Sequence, residues 1–258
     1  CEALSRADQA PPVDKLLKLL ASDDRFESWS ARRLLERMPL DAWKKKTLDA
    51  PGHRLLIQGG LALMIAHPSK EHSLEVLQRV QKHMQQFASD ADFIDLLRLT
   101  QVALHQGEVA PDEVPALRAL LAEEFPSGEP TMNRELIRLL TALQEASITP
   151  RYLDYLKSGV TDADKLHMAM HLRFIETGWT AEQRLELLKF YEAANTKKGG
   201  GSYARYIIAA TRDFAKTMSE EESRLVLAQG TDMPNAALGA LYTVPEQIDE
   251  TTLQSLVE

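Results

Sequence analysis

The sequence holds one cysteine, Cys1, so neither a disulfide framework nor a thiolate metal centre can form within it. Aromatic residues make up 6%, which leaves an aliphatic core as the only core available. No apolar run reaches the ~20 residues that a membrane-crossing helix needs. The nearest, Leu55 to Ala66, is short and broken by Gln58, Gly59 and Gly60. No signal-peptide pattern is legible. Basic residues are outnumbered, 30 against 38, and the net charge of −8 offers no basic face for phosphates, which excludes nucleic acid as the default partner. The one basic run, Lys44-Lys45-Lys46, falls beside Trp43 on a predicted helix and reads as a solvated face.

Catalytic signatures are missing as well. There is no Gly-x-Ser-x-Gly elbow, no cysteine nucleophile arrangement and no Cys-x-x-Cys-His for covalent haem. The segment Lys197-Lys198-Gly199-Gly200-Gly201-Ser202 has the ingredients of a phosphate loop in the wrong order, and a helix rather than a strand precedes it. It reads as a helix-to-helix turn in which at least one glycine takes positive φ and Ser202 caps the next helix. In that reading Tyr203 and Tyr206 begin a helix that packs on Trp179 and Phe190.

What is present is helix. A length of 258 residues allows one large domain or two small ones with a substantial core. Leucine far outnumbers valine and isoleucine together, which favours helix because β-branched side chains lose rotamer freedom in a helical turn. Proline, glycine and capping residues divide the chain into segments of helical length. Pro11-Pro12 precedes the first, and Ser22 is the expected N-cap of the second, with Asp23 and Asp24 in its first turn. That helix is predicted to bury Phe26, Leu34, Leu35 and Met38. Leu74, Leu77, Val80, Met84 and Phe87 recur at helical spacing in another. Thr180 with Gln183, and Ser219 with Glu222, form capping boxes, and Thr149-Pro150 and Thr161-Asp162 mark two further helix starts. Trp29, Trp43 and Trp179 read as packing residues.

Helices in antiparallel pairs, none able to bury its apolar face alone, describe an all-α, HEAT-like irregular α-solenoid, with a compact helical bundle as the alternative. Residues 1–258 are expected to form a single helical repeat domain, a fragment of a larger chain, with a soft internal boundary near 126–130. Cys1 is either the lipidated first residue of a lipoprotein or an accident of a cut. The cut is preferred, because Glu2-Ala3-Leu4-Ser5-Arg6 resembles a helix end more than a tether.

Two histidines, His167 and His171, lie four apart and share a helix face, as paired metal ligands would. A metalloprotease helix needs glutamate after the first histidine, and Met168 stands there. No third ligand is evident, so half-buried or surface histidines are the preferred reading. No catalytic or cofactor-binding residue is assigned. A metal-dependent enzyme built on this pair is the rival reading, and a lipid-anchored adaptor held through Cys1 is a third.

Four segments carry a resemblance: DDRFESWSARRLLERMP from Asp23, MNRELIRLLTALQ from Met132, LHMAMHLRFIETGWTAEQRLELLKFYEAA from Leu166, and GGGSYARYIIAATRDFAKTMSEEE from Gly199. In this order they resemble the helical, HEAT-like region of large bacterial proteins of the haem-binding, membrane-bound-dehydrogenase type. The shared wording consists of packing and turn signatures. The resemblance implies an exported, periplasmic, redox-linked parent in which a c-type cytochrome domain follows the helical region. A β-propeller or similar sugar-dehydrogenase-like module often precedes it. Haem c would then be bound elsewhere in that parent, and no residue here inherits the role. The function expected of this segment is a non-catalytic scaffold or interaction domain whose partners are neighbouring domains or another protein.

Overall fold

The computed structural model describes residues 12–244, together with Glu250 and Gln254. Among the described residues there is no strand, and the fold is all-α. The contacts divide the chain into two compact units, the first reaching Leu139 and the second starting at Leu140. The expectations for Cys1 and for residues 2–6 lie outside the described residues.

The first unit contains α1 (Val13–Leu20), α2 (Arg25–Leu35), α3 (Lys44–Leu48), α4 (His53–Ala66), α5 (Lys70–Met84), α6 (Asp90–Gln106) and α7 (Pro115–Glu124). It also takes in most of α8 (Pro130–Ala142), inside which the division falls. Packing partners are mainly successive helices, such as α1 with α2 and α5 with α6, and helices two apart, such as α4 with α6. This pairing is consistent with either an α-solenoid or a helical bundle. The second unit carries α9 (Thr149–Lys157), α10 (Asp162–Leu172), α11 (Ala181–Asn195), α12 (Tyr203–Ala215), α13 (Glu220–Leu227) and α14 (Pro234–Ala240). Here α11 packs on α12, α12 on α14, and α9 on both α10 and α11.

The two glycines that interrupt the apolar run are what let α4 sit at the centre of its unit. A methyl group on Gly59 would run into Thr47 of α3, and one on Gly60 would come within 2.9 Å of Leu99 on α6. Thr47 is itself pinned, its hydroxyl donating to the carbonyls of Trp43 and Lys44. The absent side chains therefore permit close helix approach at both sides of α4. Trp43 is fully buried beside this contact.

Several caps follow the sequence directly. Thr180 with Gln183 and Ser219 with Glu222 each close a capping box, and the Thr161 side chain accepts from Asp164 N. Other expectations need correction. The N-cap of α2 is Asp24, whose carboxylate accepts from Phe26 N and Glu27 N, while Ser22 accepts from Asp24 N one step earlier. Asp24 wins because its carboxylate reaches the free N–H groups from the residue adjoining the helix. Phe26, predicted to be core, is 65% exposed, and Phe87 is 95% exposed beyond the end of α5. Met38 and Leu74 are half-buried. None of Gly199, Gly200 and Gly201 has positive φ, and Ser202 makes no side-chain cap. Instead the chain turns through a hydrogen bond from Tyr203 N to the Gly200 carbonyl. Tyr203 reaches back to the Ala194 carbonyl, Tyr206 is exposed, and Trp179 stacks edge-on with Phe214 rather than with the tyrosines.

Candidate functional site

His167 and His171 are half-buried on α10, with ring centroids 4.4 Å apart and planes tilted by 41°. His171 Nδ1 donates to the His167 carbonyl at 2.8 Å, so the nitrogen nearer its own helix is already engaged. Among the described residues no group of three or more histidine, cysteine, aspartate or glutamate side chains is placed to hold a metal ion. The pair thus shares a face, as its spacing requires.

The lysine run is bound into its surroundings. Lys44 pairs with Glu75 at 2.6 Å and Lys46 with Asp14 at 2.8 Å, both near the surface. Buried charge elsewhere serves packing. Glu135 on α8 accepts from Arg98, Gln101 and Arg138. Burial works to raise its pKa, but these donors outweigh it and hold the carboxyl below its ordinary range. Glu192 on α11 receives the backbone N–H groups of Asn235 and Ala236 at 2.8 and 2.9 Å, closing the start of α14 from another helix. Burial pushes the Tyr152 and Tyr191 hydroxyls well above their usual range, and each donates to a backbone carbonyl, that of Glu145 and that of Ala169. These groups hold helices together.

An exposed apolar groove lies on α2. Phe26 and Trp29, three residues apart on one helix, are 65% and 54% exposed. With Arg25, Ser28, Arg32 and Gln58 they line a groove of about 480 Å³. The Arg25 guanidinium lies 4.7 Å above the Phe26 ring, a cation–π contact, and Arg32 donates to the Gln58 side chain at 3.2 Å. Ser28 faces inward and donates to the Leu20 carbonyl, which fixes the helix on α1 and leaves both rings outward. Comparison with protein-family models finds no match. Comparison with curated proteins finds none either.

The charge around this groove opposes that of the whole chain. Residues 25–37 contain four arginines and two glutamates, whereas the chain as a whole is acidic. Glu36 is largely occupied by Arg32 and Arg33. The sequence pattern misassigned Phe26 and Trp29 to packing, because helical spacing alone does not say which of two apolar stripes faces inward. The signal that was available is Ser28 and Ala31, small residues that mark the buried side of α2.

Proposed function

We propose that this chain is a non-catalytic helical interaction domain, one module of a larger exported redox protein, which docks a partner on the Phe26–Trp29 face of α2. The redox parentage rests on the four sequence segments that resemble the helical region of haem-binding, dehydrogenase-type proteins, with haem c carried elsewhere in the parent. The docking role rests on one observation: two large aromatic side chains stand side by side in water, rimmed by guanidinium groups. Covering each such side chain is worth roughly 1.5–3 kcal/mol, and exposed aromatic–arginine clusters have the composition of binding hot spots. The occupant that fits is an acidic segment of a protein partner bearing an aromatic or long apolar side chain. Its ring would enter the groove while a carboxylate meets Arg25.

The test is a titration of the chain with labelled acidic peptides that carry a tryptophan or phenylalanine, followed by fluorescence anisotropy. Saturable binding is expected, weakened at least about tenfold, or 1.4 kcal/mol, by the double substitution Phe26→Ser with Trp29→Ser. Binding should also weaken as salt screens the arginines. Equal binding by the double variant would remove this face from the function. Concentration-dependent dimerisation abolished by the same variant would instead make a second copy the occupant and overturn the choice of partner.

A further inference from the structure

A second groove lies in the first unit, where α6 and α8 begin and α7 ends, and it shares no lining residue with the α2 face. It holds about 690 Å³, a volume typical of ligand-binding clefts. Its floor is apolar. Phe93 of α6 and Met132 of α8 are nearly buried, with Ala88, Pro126 and Pro130 around them. Its rim is acidic: Asp90, Glu123, Glu124 and Glu129 line it, and no lysine or arginine does.

The loop between α7 and α8 is fixed by reciprocal bonds. Asn133, only 3% exposed, accepts from Ser127 N at 2.7 Å and donates to the Ser127 carbonyl at 2.9 Å. The Ser127 hydroxyl donates to the Glu129 carbonyl at 3.0 Å, and the Glu129 carboxylate accepts from Thr131 N at 3.2 Å. In the turn between α5 and α6, the almost wholly exposed Phe87 immediately precedes Ala88. Its backbone is held although its ring stands in water. His53 Nε2 lies 2.9 Å from the Phe87 carbonyl, and the Nδ1 atoms of His53 and His83 are 3.0 Å apart. Two neutral imidazoles satisfy both contacts, His83 donating to His53 and His53 to the carbonyl. A groove held in this way gives up little conformational freedom when it is filled.

Unspent charge sets this groove apart. Elsewhere in the unit surface carboxylates are matched: Glu75 meets Lys44, Glu113 meets Lys70 and Asp49 meets Arg79, at 2.6, 2.7 and 2.9 Å. Among the described residues Asp90, Glu123, Glu124 and Glu129 form no ion pair. Like charges around one apolar floor repel each other, and a cation among them relieves that repulsion while its aliphatic stem covers the floor. Lysine and arginine both have such a stem. Only a guanidinium also bonds two carboxylate oxygens at once and stacks flat on a ring such as that of Phe87.

We propose that this groove docks an arginine-bearing segment of a protein partner. Its guanidinium groups meet the four carboxylates, an arginine stem lies on Phe93 and Met132, and one guanidinium covers Phe87. The occupant is opposite in charge to the one that fits the α2 face, so the two grooves select different segments.

The experiment is fluorescence anisotropy of the full chain titrated with a labelled peptide that carries several spaced arginines, with a lysine version for comparison. Saturable binding is expected, weaker for the lysine version and weakened by salt. Glu123→Gln combined with Glu124→Gln should weaken it about fivefold or more, the scale of two exposed ion pairs. Phe87→Ser should weaken it about threefold, the scale of an exposed cation–π contact. All three side chains are exposed or half-buried, and unchanged thermal melts confirm that the variants fold. The whole chain is acidic, at −8, so bulk attraction needs its own control. Asp154→Asn combined with Glu221→Gln removes the same charge from exposed positions of the second unit and should bind as the native chain does. Failure to saturate, equal weakening by that control, or full binding by either groove variant would overturn the proposal. So would spermine bound as tightly as the arginine peptide, which would make a small polyamine the occupant.

Discussion

Arg184 Nε and Glu222 Oε1 lie 3.0 Å apart, and the second oxygen of Glu222 accepts from Ser219 N at 2.8 Å to close the cap of α13. One carboxylate therefore both starts a helix and holds the guanidinium of α11. Arg184 is nearly buried, spans from the Glu176 carbonyl to the Thr217 hydroxyl, and lies 5.3 Å from the Phe214 ring.

Removing either partner leaves a different deficit. Arg184→Ala strands Glu222 and empties the space over Phe214, and should destabilise the fold by about 3 kcal/mol, the lower end for a broken buried pair. Glu222→Gln retains an oxygen that can accept from either Arg184 or Ser219 and should cost roughly half as much. Chemical denaturation of both variants checks the order. Equal costs would mean the carboxylate acts only as a cap.

The Gly59 contact with Thr47 gives a second test. Alanine normally stabilises a helix interior by about 1 kcal/mol over glycine. Here the added methyl group collides with Thr47, and Gly59→Ala should cost a net 1–3 kcal/mol, roughly the price of overpacking. Combining it with Thr47→Ala should recover part of the loss. A melting temperature that rises in the single variant would contradict close approach of α3 and α4.

Glu135 links stability to pH. Its carboxyl is held below its ordinary value, so the stabilising contribution is complete above the unfolded carboxyl value of 4.5 and is lost as pH falls through the folded value. Glu135→Gln should therefore be less stable than the native chain at neutral pH, with the gap closing below about pH 4.5. Denaturation curves at several pH values measure the gap. A gap that is constant with pH would show that Arg98 and Arg138 do not act on the charge.

The glycine loop separates into unequal positions. Gly200 and Gly201 have open space where a Cβ would stand, whereas a Cβ on Gly199 meets the Tyr203 ring. Alanine at 200 or 201 should leave the thermal melt unchanged within about 0.5 kcal/mol. Alanine at 199 should displace Tyr203 from the Ala194 carbonyl and lower the melt.

Much of the helical framework was legible because its signals are local. A capping box spans four residues, and Thr180–Gln183 and Ser219–Glu222 satisfy each other's backbone without help from elsewhere. The same locality misled at Ser22, which stands two residues before the residue that caps α2. The four-residue spacing of His167 and His171 drew attention to a pair whose inner nitrogen is spent on its own helix. The close pair, His53 with His83, is thirty residues apart and is created by the packing of α4 on α5. Phe26 is expected in the core and Phe87 falls at helical spacing with Leu77, Val80 and Met84, yet the fold leaves both in water.

The docking face is tested most directly by nuclear magnetic resonance of the backbone amides during titration with an acidic, tryptophan-bearing peptide. Shifts are expected to concentrate on residues 25–32 and around Gln58, to saturate, and to vanish in the Phe26→Ser, Trp29→Ser double variant with the rest of the spectrum unchanged. Saturating shifts that map elsewhere and survive in that variant would contradict the assignment of the Phe26–Trp29 face.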